Sequence, residues 1–251
     1  MRDFSLEGKV ALVTGGSRGI GKSIALGMAK AGADVAVTSR KLPDLEATAE
    51  EIKKLGRKSL AVAAHVGKLE EIATLVTKVK DKFGRIDILV NNAGTNPTVD
   101  TLIDIQERAW DSVMNLNLKG LVFLSQSVAI VMREKGGGNI INIASTEGIR
   151  PGILVIYSIS KAGVIHATKI MAKEWAQYNI RVNCIAPGLT KTKFSEFLWN
   201  TPEIHDAAMA ITPLKRMAAP DEMAGAAIYF ASDASSYVTG QILCVDGGSS
   251  I

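Results

Sequence analysis

Short apolar runs alternate along this chain with longer stretches whose apolar residues recur every three or four positions. Runs such as Lys9-Val10-Ala11-Leu12-Val13 are uninterrupted, as strands buried on both faces are, and predict strands near 9–14, 34–39, 59–64, 86–91, 139–143, 180–185 and 241–245. Helical spacing fills the intervals near 19–31, 42–55, 68–83, 105–135, 156–178 and 220–231, with Ile24 and Met28 among the residues that turn inward. Strict alternation of this kind predicts an α/β protein: a single-domain, Rossmann-type doubly wound parallel sheet of about seven strands, with right-handed crossovers and helices on both faces. Segment 190–218 is less regular. It follows the sixth strand, whose C-terminal end is where such sheets bind ligands, and is expected to form a helical substrate lid. Its Phe194, Phe197, Leu198 and Trp199 either line a pocket or pack against the body or a neighbouring subunit.

Composition narrows the class. No linker, repeat or low-complexity tract divides the 251 residues, so one domain over 1–251 is expected. An apolar share of 47% suits a soluble globular chain, and neither a signal-peptide core nor a membrane-spanning window is expected, which makes the cytoplasm the default. The net charge of +4 is mild and its cations are scattered, which argues against nucleic acid as a partner, as the sequence argues against a membrane. Cys184 and Cys244 sit in apolar strand-like runs and read as small buried hydrophobes. His65, His166 and His205 lie far apart without ligand spacing, so no metal is assigned.

Two motifs carry chemistry. Thr14-Gly15-Gly16-Ser17-Arg18-Gly19-Ile20-Gly21 links the first strand to the first helix. In that context glycines admit close approach of a pyrophosphate, and the helix N-terminus offers free N–H groups and a positive dipole end. In Tyr157-Ser158-Ile159-Ser160-Lys161 a phenol and an ammonium share one helix face a turn apart. A free phenol titrates near pH ~10, and a neighbouring cation lowers that value toward general acid/base use on an alcohol or carbonyl. In isolation the same pair could be a solvated helix surface.

Taken with Asn91-Asn92-Ala93-Gly94, Asn117 and Ser145, these motifs resemble, in order and over almost the whole chain, the short-chain dehydrogenase/reductase family. The resemblance implies Tyr157 as the group that protonates a carbonyl or deprotonates an alcohol, and Lys161 as the residue that lowers its pKa and contacts the nicotinamide ribose. It implies Ser145 as a donor to the substrate oxygen, and Asn117 as support for a water relay; Asn115 competes with Asn117 by residue type alone. By the same resemblance Gly15, Ser17, Arg18, Gly19, Ile20, Gly21, Asn92, Ala93 and Gly94 would hold the dinucleotide. Pro187, Gly188, Thr190 and Thr192 would receive the nicotinamide carboxamide, through the Thr190 backbone and the Thr192 hydroxyl.

Three departures refine the picture. Ser145 precedes Tyr157 by 12 positions, one fewer than in most relatives, and the intact Ser-x-x-Gly places the deletion in the loop 149–156. After the second strand, where an acidic residue would accept from a ribose 2′-hydroxyl, stand Ser39, Arg40 and Lys41. A guanidinium there suits a 2′-phosphate, Arg18 adds a second cation, and the expected cofactor is NADP(H). Where relatives carry an aspartate after the third strand this chain has Ala64-His65-Val66, which resembles the NADP-dependent carbonyl reductase/retinol dehydrogenase branch. The expected activity is therefore reversible reduction of a small-molecule ketone or aldehyde. Reduction of 3-oxoacyl groups on acyl carrier protein is the alternative, with Arg133 and Lys135 as candidate carrier contacts; an NADP-sensing scaffold is the non-enzymatic one. The resemblance also implies a homotetramer built on the 105–135 and 156–178 helices and the C-terminal strand, which the apolar content of those helices, such as Val164, Ile165, Ile170 and Met171, supports.

Overall fold

The computed structural model describes residues 3–96 and 101–251. Its seven strands are β1 (Val10–Thr14), β2 (Asp34–Ser39), β3 (Ser59–Ala63), β4 (Ile88–Asn91), β5 (Gly138–Ile143), β6 (Ile180–Pro187) and β7 (Ile242–Val245). All pair in parallel, in the order β3-β2-β1-β4-β5-β6-β7. Each falls within two residues of the stretch its apolar run marked.

Two layers of helix cover the sheet. One contains α1 (Gly19–Lys30), α2 (Leu42–Lys54) and α9 (Glu222–Ala231), which bury Ile24, Met28, Leu45, Ile52, Met223 and Phe230 against Val13, Val37, Val90 and Ile185. The other contains α3 (Leu69–Phe83), α5 (Leu121–Glu134) and α6 (Val155–Trp175), whose Leu75, Val79, Leu124, Val128, Met132, Val164 and Met171 pack on Leu12, Leu89, Ile140 and Val182. At about 25 cal/mol per Å² of apolar surface removed from water, these two faces supply the main drive for folding.

The helix expected over 105–135 is compound. α4 (Glu107–Met114) passes through a π-helical turn, Asn115–Gly120, into α5. By length and composition the run Glu107–Glu134 is apolar enough to cross a membrane, contrary to the sequence expectation; 44% of its most apolar window is buried inside the protein. The irregular stretch 190–218 holds α7 (Glu196–Asn200) and α8 (Pro202–Ile211).

A polar chain runs through the second layer. Asn91 Nδ2 donates to Ser125 Oγ (2.8 Å) and Asn142 Oδ1 (2.9 Å), and Asn142 Nδ2 donates to Thr168 Oγ1 (2.9 Å). It joins β4, β5, α5 and α6 below the ends of the strands, and its members are nearly inaccessible to solvent.

Candidate active site

Strand order reverses between β1 and β4, and a crevice opens outside the carboxyl ends of the strands there, as the topology of open α/β sheets requires. The cavity has a volume of about 760 Å³. Its floor at one end is the turn after β1. Gly15 and Gly19 have φ of +65° and +56°, and a Cβ on Gly21 would strike the Gly15 carbonyl and the Asn92 amide. A side chain at either Gly15 or Gly21 would close the cradle.

The cradle is held from β4. Asn92 Nδ2 donates to Thr14 O (2.9 Å), while Thr14 Oγ1 accepts from the backbone N–H groups of Asn92 and Ala93 (2.9 Å each). The Asn-Asn-Ala-Gly run thus acts by fixing the glycine turn, and Thr14, the first residue of the glycine motif, is the hydroxyl that ties the two turns together. Arg18, the residue before α1, is extended, and no side chain caps the first turn. The first N–H groups of α1 are therefore free for an anion.

At the end of β2 the wall is Thr38, Ser39, Arg40 and Lys41, with Asp44 beyond. Arg18, Arg40 and Lys41 form no ion pair among the described residues. Thr38 Oγ1 is buried without a hydrogen-bond partner, an orphan that a polar ligand would satisfy. After β3, His65 and Val66 line the same space; His65 N donates to Glu71 Oε2 (2.7 Å), and His65 Nδ1 accepts from Gly67 N (3.1 Å).

The reactive end gathers residues from β5, α6 and β6. Ser145, Tyr157, Lys161, Pro187, Gly188, Thr190 and Thr192 all face the cavity. Ser145 leads a short 3-10 turn, Thr146–Gly148, and its Oγ accepts from Glu147 N (3.2 Å). Lys161 is buried, lies 5.4 Å from the Tyr157 ring centre and donates to the Ile143 carbonyl (2.7 Å). Asn117 is on the π-helical turn, fully buried behind the wall: Nδ2 donates to Thr95 O (3.0 Å) and Ser160 Oγ (3.1 Å), and Oδ1 accepts from Thr95 N (2.8 Å). Among the described residues Asn115 shows no side-chain hydrogen bond of this kind, whereas Asn117 is tied to both Thr95 and Ser160. Neither Asn117 nor Gly21 forms part of the wall itself. The Thr192 hydroxyl is engaged within its own turn, accepting from Ser195 N (3.3 Å) and paired with Ser195 Oγ (3.1 Å).

The electrostatics depart from expectation. Burial raises the Tyr157 pKa above its ordinary value; the Ser145 hydroxyl pulls it down and the Glu147 charge pushes it up, without reversing the effect of burial. Burial outweighs the lowering influences on the phenol. Burial also lowers Lys161, to about 8. Cys184, beneath Lys161, is pushed up to about 12 by burial and is inert as a thiolate near neutrality.

Over this end lies the stretch 190–218. Phe194 and Leu198 reach the cavity, with the Phe194 ring 5.7 Å from that of Tyr157. Phe197 and Trp199 do not: Trp199 Nε1 donates to Thr192 O (3.3 Å) and carries Lys191 over its ring. Ile204, Ala207, Ala208 and Ile211 of α8 complete the apolar wall, and the shortened loop adds Gly152, Ile153 and Leu154. The helical spacing of α8 was the available signal for its residues; nothing local marked which loop atoms would turn inward.

A parallel sheet with a phosphate cradle at its switch point and a Ser-Tyr-Lys wall beside it defines a nucleotide-dependent oxidoreductase fold. The family model described as enoyl-(acyl carrier protein) reductase matches residues 15–250. The chain is 42% identical to 2-dehydro-3-deoxy-D-gluconate 5-dehydrogenase of Escherichia coli over 98% of this chain and 96% of that one. It is also 42% identical to a 3-oxoacyl-[acyl-carrier-protein] reductase of Thermotoga maritima, over 97% and 98%. Among solved structures, a gluconate 5-dehydrogenase from Burkholderia cenocepacia in complex with NADP and tartrate superposes with a TM-score of 0.94 at 35% identity, over 98% and 96% of the two chains. The chain belongs to the short-chain dehydrogenase/reductase family, and is an NAD(P)-dependent oxidoreductase acting on CH–OH and C=O groups.

Proposed function

We propose that this protein uses NADP(H) to interconvert a small-molecule ketone or aldehyde and its alcohol, within or close to the carbonyl reductase/retinol dehydrogenase branch. The observation that carries the proposal is the conjunction, in one cavity, of a glycine cradle, an Arg18-Arg40-Lys41 cation set and the Ser145-Tyr157-Lys161 wall. Solved relatives with bound NADP support the choice of cofactor.

The residues fit that cofactor. Gly15, Ser17, Gly19 and Ile20 would hold the pyrophosphate, and Arg18, Ser39, Arg40 and Lys41 the 2′-phosphate. His65, Val66, Asn92, Ala93 and Gly94 would line the adenosine side, and Pro187, Gly188, Thr190 and Thr192 the carboxamide. When bound, NADP(H) supplies or accepts the hydride. The protein's own part is proton and charge management. The phenol of Tyr157 is protonated at neutral pH and donates its proton to the substrate oxygen, and Ser145 donates a hydrogen bond to the same oxygen as negative charge develops there. Lys161 keeps a positive charge one turn away. Asn117 fixes the end of β4 against α6 through Thr95 and Ser160, which holds the lysine's surroundings in place. The α7–α8 stretch acts as the substrate lid and excludes water.

The carrier-protein alternative receives less support. Arg133 and Lys135 stand where β5 begins, at the end of the sheet opposite the cavity, and Arg133 is stacked over Tyr178 at 5.3 Å. A scaffold role would leave the complete catalytic wall without a use. The cytoplasm is the proposed compartment. A single-turnover reaction with NADPH carrying deuterium at both positions of the reactive nicotinamide carbon tests the reading: deuterium should appear on the carbinol carbon of the product. Product without deuterium there would refute direct hydride transfer.

A further inference from the structure

Glu147 has no part in the chemistry above, yet its carboxylate faces the cavity two residues after Ser145, on the same 3-10 turn. Its position is fixed. Ser158 Oγ, on the helix that carries Tyr157, donates to Glu147 Oε2 at 2.6 Å. Gly152 of the shortened loop lies directly against the carboxylate, where any Cβ would collide with it. Oε1 accepts nothing from the described residues. The carboxylate is near enough for its charge to be felt at the Tyr157 phenol. A fixed anion with one free oxygen beside the reacting group is a donor-seeking element, and in a partly apolar pocket it repels a second anion strongly.

No cation among the described residues forms an ion pair with it. Lys161 is turned to the Ile143 carbonyl, exposed Arg150 donates through Nη1 to Ser249 O (3.2 Å), Lys191 lies over Trp199, and Lys193 is exposed at the rim. The rest of the substrate wall combines apolar Phe194, Leu198 and α8 residues with the hydroxyls of Thr146, Thr212 and Ser249.

We infer that Glu147 sets substrate choice, accepting a hydrogen bond from a hydroxyl or similar donor on a neutral carbonyl substrate and excluding carbonyl compounds that carry a carboxylate close to the reacting carbon. This deepens the NADPH-reductase reading and rests on it. It also sets the chain apart in expected substrate from a relative named for a sugar acid.

The test compares a matched pair, ethyl acetoacetate and free acetoacetate, with hydroxyacetone as a neutral hydroxylated carbonyl, each reduced with NADPH by the wild type, Glu147→Gln and Glu147→Asp. The wild type should favour the ester over the acid by at least tenfold in kcat/KM. Glu147→Gln keeps an acceptor for Ser158 while removing the charge. It should narrow the gap at least fivefold, mainly by lowering KM for the acid, and should raise KM for hydroxyacetone; NADPH affinity should not change. Glu147→Asp keeps the charge and should keep the gap. If Glu147 only anchors the loop, Glu147→Gln leaves the ester-to-acid ratio unmoved, and the inference fails while the reductase reading stands. A wild-type preference for the acid also overturns it. If none of the three compounds is reduced, the reductase reading fails and the inference falls with it.

Discussion

Tyr157 and Lys161 share one dry wall, and burial works on both in the direction of the neutral form. The tyrosine is thereby kept as a proton donor. Replacing it with phenylalanine removes the proton and little else, so Tyr157→Phe should cut kcat by about 10²–10⁴, the usual weight of general acid catalysis, with NADPH affinity within about twofold by titration. The lysine is costly to the fold. Its pKa falls from 10.5 to about 8 on folding, so between those values the unfolded chain binds more protons and stability rises with pH. Below pH 8 the penalty is fully present. Lys161→Met should therefore be inactive yet more stable at pH 7, by at most on the order of 3 kcal/mol at about 1.36 kcal/mol per pKa unit. That gain should fade as pH rises from 8 to 10.5, as urea melts across the range would show. Equal stability at pH 7 would mean that the Ile143 hydrogen bond offsets the burial of charge.

The elements were legible where one period dominated. Uninterrupted runs such as Ala11-Leu12-Val13 and Ile140-Ile141 announced strands because a parallel sheet buries both faces, and the glycine turn was readable from its place between a strand and a helix. The π-helical turn that sinks Asn117 was not legible, because a single wide turn leaves the apolar spacing of Glu107–Glu134 almost unchanged. The Asn91-Asn142-Thr168 chain was equally hidden, since its members are far apart in sequence and meet only when β4, β5 and α6 assemble. Glu147 stands at an open position of the Ser-x-x-Gly pattern, but its contact with Ser158 depends on how the shortened loop folds back. The buried chain has an energetic consequence. Asn142→Ala leaves Asn91 and Thr168 each short of a partner, and should destabilise the protein by roughly 2–6 kcal/mol in urea titration, at about 1–3 kcal/mol per unsatisfied group. A change below 0.5 kcal/mol, the ordinary range of a neutral surface substitution, would mean that water takes the vacated place.

On the scale of the whole molecule, one sheet delivers every predicted site residue to its carboxyl end or directly behind it, and two helical layers leave apolar side chains without cover. Val164 and Met171, expected to support an interface, are instead buried in the core of the protomer, whereas Phe123 and Ile130 of α5 and Ile159 and Ile170 of α6 are among the exposed large hydrophobic residues, which favours burial of these helices between copies of the chain. We expect light scattering to give four times the 26.7 kDa mass of one chain, and Ile170→Glu to reduce it; a monomer in the unaltered protein would remove the tetramer. The central claim is that this cavity passes hydride between NADP(H) and a carbonyl, and it is tested most directly by paired turnover. The purified protein is given NADPH or NADH with aromatic ketones, α-dicarbonyls, retinal and acetoacetyl thioesters. NADPH should give at least a tenfold higher kcat/KM than NADH, with turnover of simple carbonyls. Equal or better turnover with NADH would show that Arg18 and Arg40 do not read a 2′-phosphate, and turnover confined to the thioesters would show that the carbonyl-reductase reading is wrong.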